Sequence, residues 1–319
     1  ILKQRVLGRT GISVTELCFG ALPMGPRQKN LNLVECTDLV AFALQKGINF
    51  IDTAQMYETY LPIRKAMEKT GIRPVIASKS TASSYEGMEE AILEALSKLN
   101  ISSIDIFLLH AARVDEKVFE NRAGAFQCLK DYKQRGKIKA IGISTHNVNV
   151  VSLAAKMEDI DIVFPLLNKN GIGVLAGTID DMKESIKEGY DAGKGIYLMK
   201  VLGGGNLIDE YCESVNFARN IGNYHSIAMG MVSREEIEFN INFFEGNYDP
   251  ERVPTIKGYT KRYQVFEDLC IGCKSCMKIC PNFAIDFDDV KKKAFINTNR
   301  CLTCGYCTSA CKEFAIRMI

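Results

Sequence analysis

The sequence carries no excess of charge of either sign, with 40 basic residues against 38 acidic and a formal net charge of +2. No broad nucleic-acid surface and no anionic-membrane surface is therefore implied. No apolar run reaches the roughly 20 residues that span a bilayer, and residues 1–20 lack the charged start and apolar core of a secretory signal. Apolar residues at 47% and charged residues at 24% exclude a disordered or collagen-like chain and suit a soluble globular one. What the sequence has in quantity is cysteine. Of twelve, eight fall between residues 270 and 311. Disulfide frameworks belong to small exported domains, so these thiols read as metal ligands in a reducing, cytoplasmic compartment. Cys18, Cys36, Cys128 and Cys212 lie among apolar neighbours and read as buried, inert thiols.

From Val14 to about Gly246, short β-branched runs alternate with amphipathic stretches. The strand-like runs are 16–22, 49–52, 74–79, 104–110, 138–144, 161–167, 195–202 and 226–231. Helix-like periodicity marks 33–46, 85–99, 118–134 and 234–244, with Asn147, Asp180 and Ser233 where N-caps belong. The runs are apolar throughout, as expected of strands covered on both faces. Eight strand–helix pairs predict an α/β fold, a closed (β/α)8 TIM barrel. The competing doubly wound sheet lacks a Gly-x-Gly-x-x-Gly after its first strand. The expected organisation is a barrel over 1–246, a linker over 247–262 and a small α+β domain over 263–319.

That last segment repeats itself at an offset of 31. Cys270, Cys273, Cys276 and Cys280 map onto Cys301, Cys304, Cys307 and Cys311, and Phe283-Ala284-Ile285 onto Phe314-Ala315-Ile316. Each half reads Cys-x2-Cys-x2-Cys-x3-Cys, the run of bacterial two-cluster ferredoxins, in which the fourth cysteine ligates the other cluster. One [4Fe–4S] cluster should take Cys270, Cys273, Cys276 and Cys311, the other Cys301, Cys304, Cys307 and Cys280. Zinc sites pair two separated Cys-x2-Cys units and suit three close cysteines poorly. Pro281 follows the first motif, whereas Lys312 follows the second.

In the barrel, three apolar runs end in Asp52, Lys79 and His110, and Tyr57 follows Asp52 by five residues. Catalytic groups of such barrels project from the C-terminal ends of strands. The segments Arg5-Val6-Leu7-Gly8-Arg9-Thr10-Gly11-Ile12, Asn49-Phe50-Ile51-Asp52-Thr53-Ala54-x-x-Tyr57, Lys79, His110 and Gly142-Ile143-Ser144 resemble the aldo-keto reductase family over about residues 4–245. The tail resembles the ferredoxin module fused to some of its members. The resemblance implies an NAD(P)-dependent oxidoreductase with a tetrad of Asp52, Tyr57, Lys79 and His110, hydride passing between a nicotinamide and a carbonyl or alcohol. It also implies coenzyme contacts from Ser144, Ser233, Glu236 and Asn240.

Hydride reduction of a carbonyl leaves an alkoxide that needs a positioned proton donor. A Lys79 ammonium beside the phenol would lower the Tyr57 pKa from about 10. Asp52 can hold that ammonium, and His110 can donate to the substrate oxygen. Gly203-Gly204-Gly205 permits close backbone approach to a phosphate, with Lys200 adding charge. Met199 reads as packing, and His146 as either a substrate group or a packed imidazole. Glu236 would favour a free ribose hydroxyl, hence NADH over NADPH, with Arg234 on another face and Lys200 or Lys261 as the cations that could offset it. Nicotinamide moves two electrons and each cluster one, so an FMN or a flavin partner protein between them is the alternative. A coenzyme-sensing binding module is a further alternative. A redox partner protein is expected; the substrate is not readable from the loops.

Overall fold

The computed structural model describes residues 1–26, 28–253, 262–280, 283–301 and 306–319. A short hairpin of β1 (Gln4–Val6) and β2 (Ser13–Thr15) precedes eight strands, β3 (Leu17–Gly20), β4 (Phe50–Asp52), β5 (Val75–Ser80), β6 (Ile104–His110), β7 (Ile138–Thr145), β8 (Ile162–Pro165), β9 (Gly195–Leu198) and β10 (Ser226–Gly230). These eight are parallel and close into a barrel, β10 pairing with β3. Outside it lie α1 (Leu33–Gln45), α2 (Tyr60–Thr70), α3 (Tyr85–Leu99), α4 (Val118–Asn121), α5 (Ala123–Gln134), α6 (Val148–Lys156), α7 (Ile179–Asp191), α8 (Tyr211–Asn220) and α9 (Arg234–Glu245). No helix among the described residues is long and apolar enough to cross a membrane.

The apolar runs are strands because both of their faces are covered. One set of side chains meets the helices, and another fills the barrel, where Phe50, Ile106, Leu108, Ile162 and Tyr197 pack on Leu7, Ile12 and Val14 of the hairpin. Strand spacing is tightest at Gly142, where a Cβ would stand 1.8 Å from the Ile162 carbonyl oxygen.

Two local expectations are corrected. The 118–134 helix is split at Arg122, which leaves helical geometry while its guanidinium donates to the His110 carbonyl at 2.9 Å. The α7 cap is Thr178, not Asp180: the Thr178 hydroxyl accepts from the Asp181 N–H in a capping box. Asn147 and Ser233 do cap α6 and α9.

The tail consists of β11 (Tyr263–Val265), α10 (Ser275–Ile279), β12 (Ile285–Asp288), β13 (Lys293–Ile296), α11 (Tyr306–Ala310) and β14 (Ile316–Met318), with β11 on β14 and β12 on β13. The repeat persists in the backbone. Phe283 and Phe314 both have φ of +50°, and the N–H groups of Ala284 and Ala315 donate at 3.3 Å to the sulfurs of Cys280 and Cys311. The tail sits on the barrel face where strands β6 to β9 end. Phe314 is packed against Gly173 and Gly204, Met318 against Gly205, and Tyr263 donates to Asn206 at 2.7 Å.

The opposite end is fastened by His225, whose Nε2 accepts from the Gly8 N–H at 3.2 Å while Nδ1 faces the Ile196 backbone. Burial holds its pKa below 6.5, because charging the ring would remove the acceptor. The unfolded chain binds the extra proton at about pH 6.5, so His225 stabilises above that pH and its contribution is lost as pH falls below it. Urea titrations between pH 7.5 and 5.5 should show a shallower pH slope for His225→Gln than for wild type. Equal slopes would refute the assignment.

Candidate active site

Asp52 ends β4 and stands opposite Ala77 of β5, so Lys79, two residues on, shares the inward face. Lys79 is 1% exposed, and its ammonium donates to both Asp52 oxygens at 2.8 and 2.7 Å and to the Thr53 carbonyl at 2.8 Å. Burial is the largest single influence and opposes that charge, but the acidic neighbours, Asp52 first, together outweigh it and hold the ammonium above its ordinary pKa. The Tyr197 hydroxyl donates to Asp52 at 3.0 Å, its ring stacked on Phe164.

Tyr57 sits in a 3-10 turn whose Gln55 bridges Ser80 and Glu94. The Lys79 ammonium is 4.9 Å from its ring centroid, and the His110 ring meets it edge-on at 5.9 Å. The four tetrad residues are thus brought together. The expected lowering of the phenol is corrected. Burial pushes Tyr57 above 10, and Lys79 offsets only part of that. Burial, then Lys79 and Arg317, hold His110 well below 6.5, so the ring is neutral.

A cavity of about 350 Å³ runs from Asp52 and Tyr57 past Met199, Lys200 and Gly204 to Val232 and Glu236, with Met318 and Ile319 of the tail in its wall. Ser144, outside the lining of this cavity, has a buried hydroxyl with no protein partner. Other expected contacts are occupied. Ser233 accepts from the Glu236 N–H, Glu236 accepts from the Val232 N–H at 2.6 Å, and Asn240 is held by Tyr211 and the Glu236 carbonyl. The Gly203 and Gly205 N–H groups donate within their own turn, to Lys200 and Leu202, and a Cβ on Gly204 would meet Phe314 at 3.0 Å. The glycine run therefore seats the tail. Lys200 lies at the tetrad end of the cavity, with its pKa lowered by burial and by Arg317 and Lys79. Arg234 stacks on Phe42, on another face of α9, and Lys261 lies outside the described residues. Lys29, near Glu236, is a basic residue that the sequence reading passed over.

In the tail, Cys270, Cys273, Cys276 and Cys311 surround one cavity, the crossed set of the motif. Among the described residues, no three His, Cys, Asp or Glu side chains converge as ligands of a single ion. Thiols set around a space fit a cubane cluster better than one metal. Cys280, Cys301 and Cys307 lie in or against the same small core, while Cys304 and Pro281 fall outside the described residues.

The aldo/keto reductase profile matches residues 16–223 and the 4Fe-4S dicluster profile residues 263–312. The chain belongs to the aldo/keto reductase family. The chain is 24% identical over 204 residues to an uncharacterized oxidoreductase of Bacillus subtilis, a match covering 55% of the chain and 64% of that protein. It is 21% identical over 331 residues to pyridoxal 4-dehydrogenase of Microbacterium luteolum, covering 80% and 96%. The solved structure of a putative aldo-keto reductase from Pseudomonas aeruginosa superposes with a TM-score of 0.67 at 23% identity, over 76% of this chain and 95% of that one.

Crossed ligation makes a distinct demand on paired variants. Anaerobic protein should hold about eight iron atoms. Cys270→Ser with Cys311→Ser should lose no more iron than either alone, about half, because both serve one cluster. Cys301→Ser with Cys311→Ser should lose nearly all. The reverse pattern would refute the crossing.

Proposed function

We propose that the barrel transfers hydride between a nicotinamide coenzyme and a carbonyl or alcohol, with Tyr57 as general acid in reduction and general base in oxidation. The observation that carries this reading is the Lys79 ammonium, held by Asp52 and facing the Tyr57 ring with His110 at its edge. The substrate oxygen is placed between the Tyr57 hydroxyl and a ring N–H of neutral His110. Tyr57 gives up its proton as negative charge grows on that oxygen, and the phenolate left behind is stabilised by Lys79. Asp52, itself held by Tyr197, keeps Lys79 charged. The raised phenol pKa keeps Tyr57 protonated, the form a reductase needs. The nicotinamide, when bound, supplies or accepts the hydride. The two clusters, when bound, exchange single electrons with a redox partner, and Phe314, three residues after Cys311, ties their domain to the barrel mouth.

Tyr57→Phe should retain coenzyme binding yet turn over about 10² to 10⁴ more slowly. Normal turnover in that variant would end the proposal.

The coenzyme is proposed to be NADH. Glu236 sets a carboxylate at the N-terminus of α9, in the wall of the cavity, where it would repel a 2′-phosphate. Lys29 works against this from nearby. At one ionic strength, wild type should bind NADH more tightly than NADPH, and Glu236→Arg should shift the ratio towards NADPH. Tighter NADPH binding by wild type would defeat the assignment.

A further inference from the structure

The end of the barrel cavity beside the tetrad is rich in positive charge. Lys79, Lys200, Arg113 and Arg317 lie there with the carboxylates of Asp52 and Glu313, and Asp209 stands in the wall of the same cavity. Asp52 is engaged by Lys79 and Tyr197, and Glu313 pairs with Arg113 at 3.4 Å. Lys200 is left without a carboxylate partner among the described residues. Its backbone is left-handed, with φ of +62°, a conformation that non-glycine residues seldom adopt and that is concentrated at functional sites.

Lys200 has a second polar neighbour with nothing to bind. His146 is 2% exposed, and its Nδ1 has no hydrogen-bond partner in the protein. Both residues flank one ring of the tail. The Lys200 ammonium lies 5.2 Å from the Phe314 centroid, and the His146 ring meets Phe314 edge-on at 5.7 Å. Arg317 approaches the same ring at 5.3 Å. A buried polar atom without a partner and a cation without a counter-charge both cost stability unless a ligand satisfies them.

We propose that the substrate carries a carboxylate, bound by the Lys200 ammonium and the His146 imidazole beneath Phe314 of the cluster domain. The proposal rests on the reading of the barrel as a carbonyl or alcohol site. Lys200 lines the same cavity as Asp52 and Tyr57, so an anion there is anchored next to the reacting carbonyl. The carboxylate takes part in no bond change. It fixes the carbonyl carbon in place, and the rest of the wall, Phe164, Met199 and Met318, suits an apolar body between the two groups. The cluster domain would thereby complete the substrate site.

The test compares 4-carboxybenzaldehyde with its neutral ester, methyl 4-formylbenzoate, on the full chain carrying its clusters. Terephthalate binding, measured by calorimetry, gives a readout free of turnover. Wild type should favour the acid in kcat/KM by at least about 10-fold, the scale of one charge-assisted hydrogen bond. Lys200→Met should lose at least about ten times more kcat/KM on the acid than on the ester, and should weaken terephthalate by about 10- to 100-fold. Lys200→Arg should restore much of both, which separates the role from folding, and His146→Leu should weaken terephthalate without removing the charge. Equal handling of acid and ester by wild type, or terephthalate binding indifferent to Lys200, would overturn the proposal. If neither aldehyde reacts but terephthalate still binds through Lys200, the reductase reading fails and the carboxylate site stands.

Discussion

Lys79 puts a full positive charge inside a barrel otherwise filled with apolar side chains, and much of the architecture around it exists to make that tolerable. All three ammonium protons have oxygen acceptors, two on Asp52 and one on the Thr53 carbonyl. Breaking such a buried pair by removing one partner typically costs about 3–5 kcal/mol, because the other charge is stranded. The pair therefore ties the register of β4 against β5, and the Asp52–Ala77 pairing that sets it cannot slip by one residue without turning Lys79 out of the barrel. Tyr197 and Phe164, from β9 and β8, complete the setting from the far side.

From this fixed charge follow the states of the two groups above it. Tyr57 feels Lys79 but is buried, and burial prevails, so the phenol stays a phenol. His110 feels the same cation with the opposite consequence, since a second positive charge beside Lys79 is disfavoured on top of the cost of burial. The site thus holds two neutral side chains, with its positive charge one step behind them. On the proposed mechanism, charge developing on a carbonyl oxygen would meet pre-oriented hydrogen bonds, and the resulting phenolate would meet Lys79.

The barrel was legible in the sequence because strands covered on both faces leave continuous apolar runs, and the grouping of Asp52, Lys79 and His110 because they stand at the ends of those runs, with Tyr57 five residues after Asp52. Features that depend on contacts between distant segments were not. The helix break at Arg122 is tied to the carbonyl of His110, and a helical period carries no trace of that partner. Asp180 and Thr178 are both capable caps, and the choice turned on which side chain could reach the Asp181 N–H. Tyr197 left a signal that could have been used: a hydroxyl in the middle of an inward-packed strand needs a partner, and Asp52 was the polar group at hand. The tail's dicluster cysteine runs were legible from spacing, but not where the tail sits.

That placement shows where docking information resides. Phe283-Ala-Ile and Phe314-Ala-Ile are the same tripeptide, with the same positive φ and the same N–H to sulfur contact, yet Phe283 is 76% exposed and Phe314 is 1% exposed. The tripeptide itself does not distinguish them. The difference lies in the barrel, where Gly173 and Gly204 leave room for one ring: a Cβ on either would come within 2.7 and 3.0 Å of Phe314. Burying a Phe side chain is worth about 1.5–3 kcal/mol, and two missing side chains on the barrel decide which half of the repeat obtains it. A glycine run that reads as a phosphate cradle thus spends its open side on an aromatic ring. With the Gly203 and Gly205 N–H groups bonded inside the turn, the run has neither of these donors left for a phosphate, and the residues that fix the cluster domain are the ones the sequence offered as a cradle.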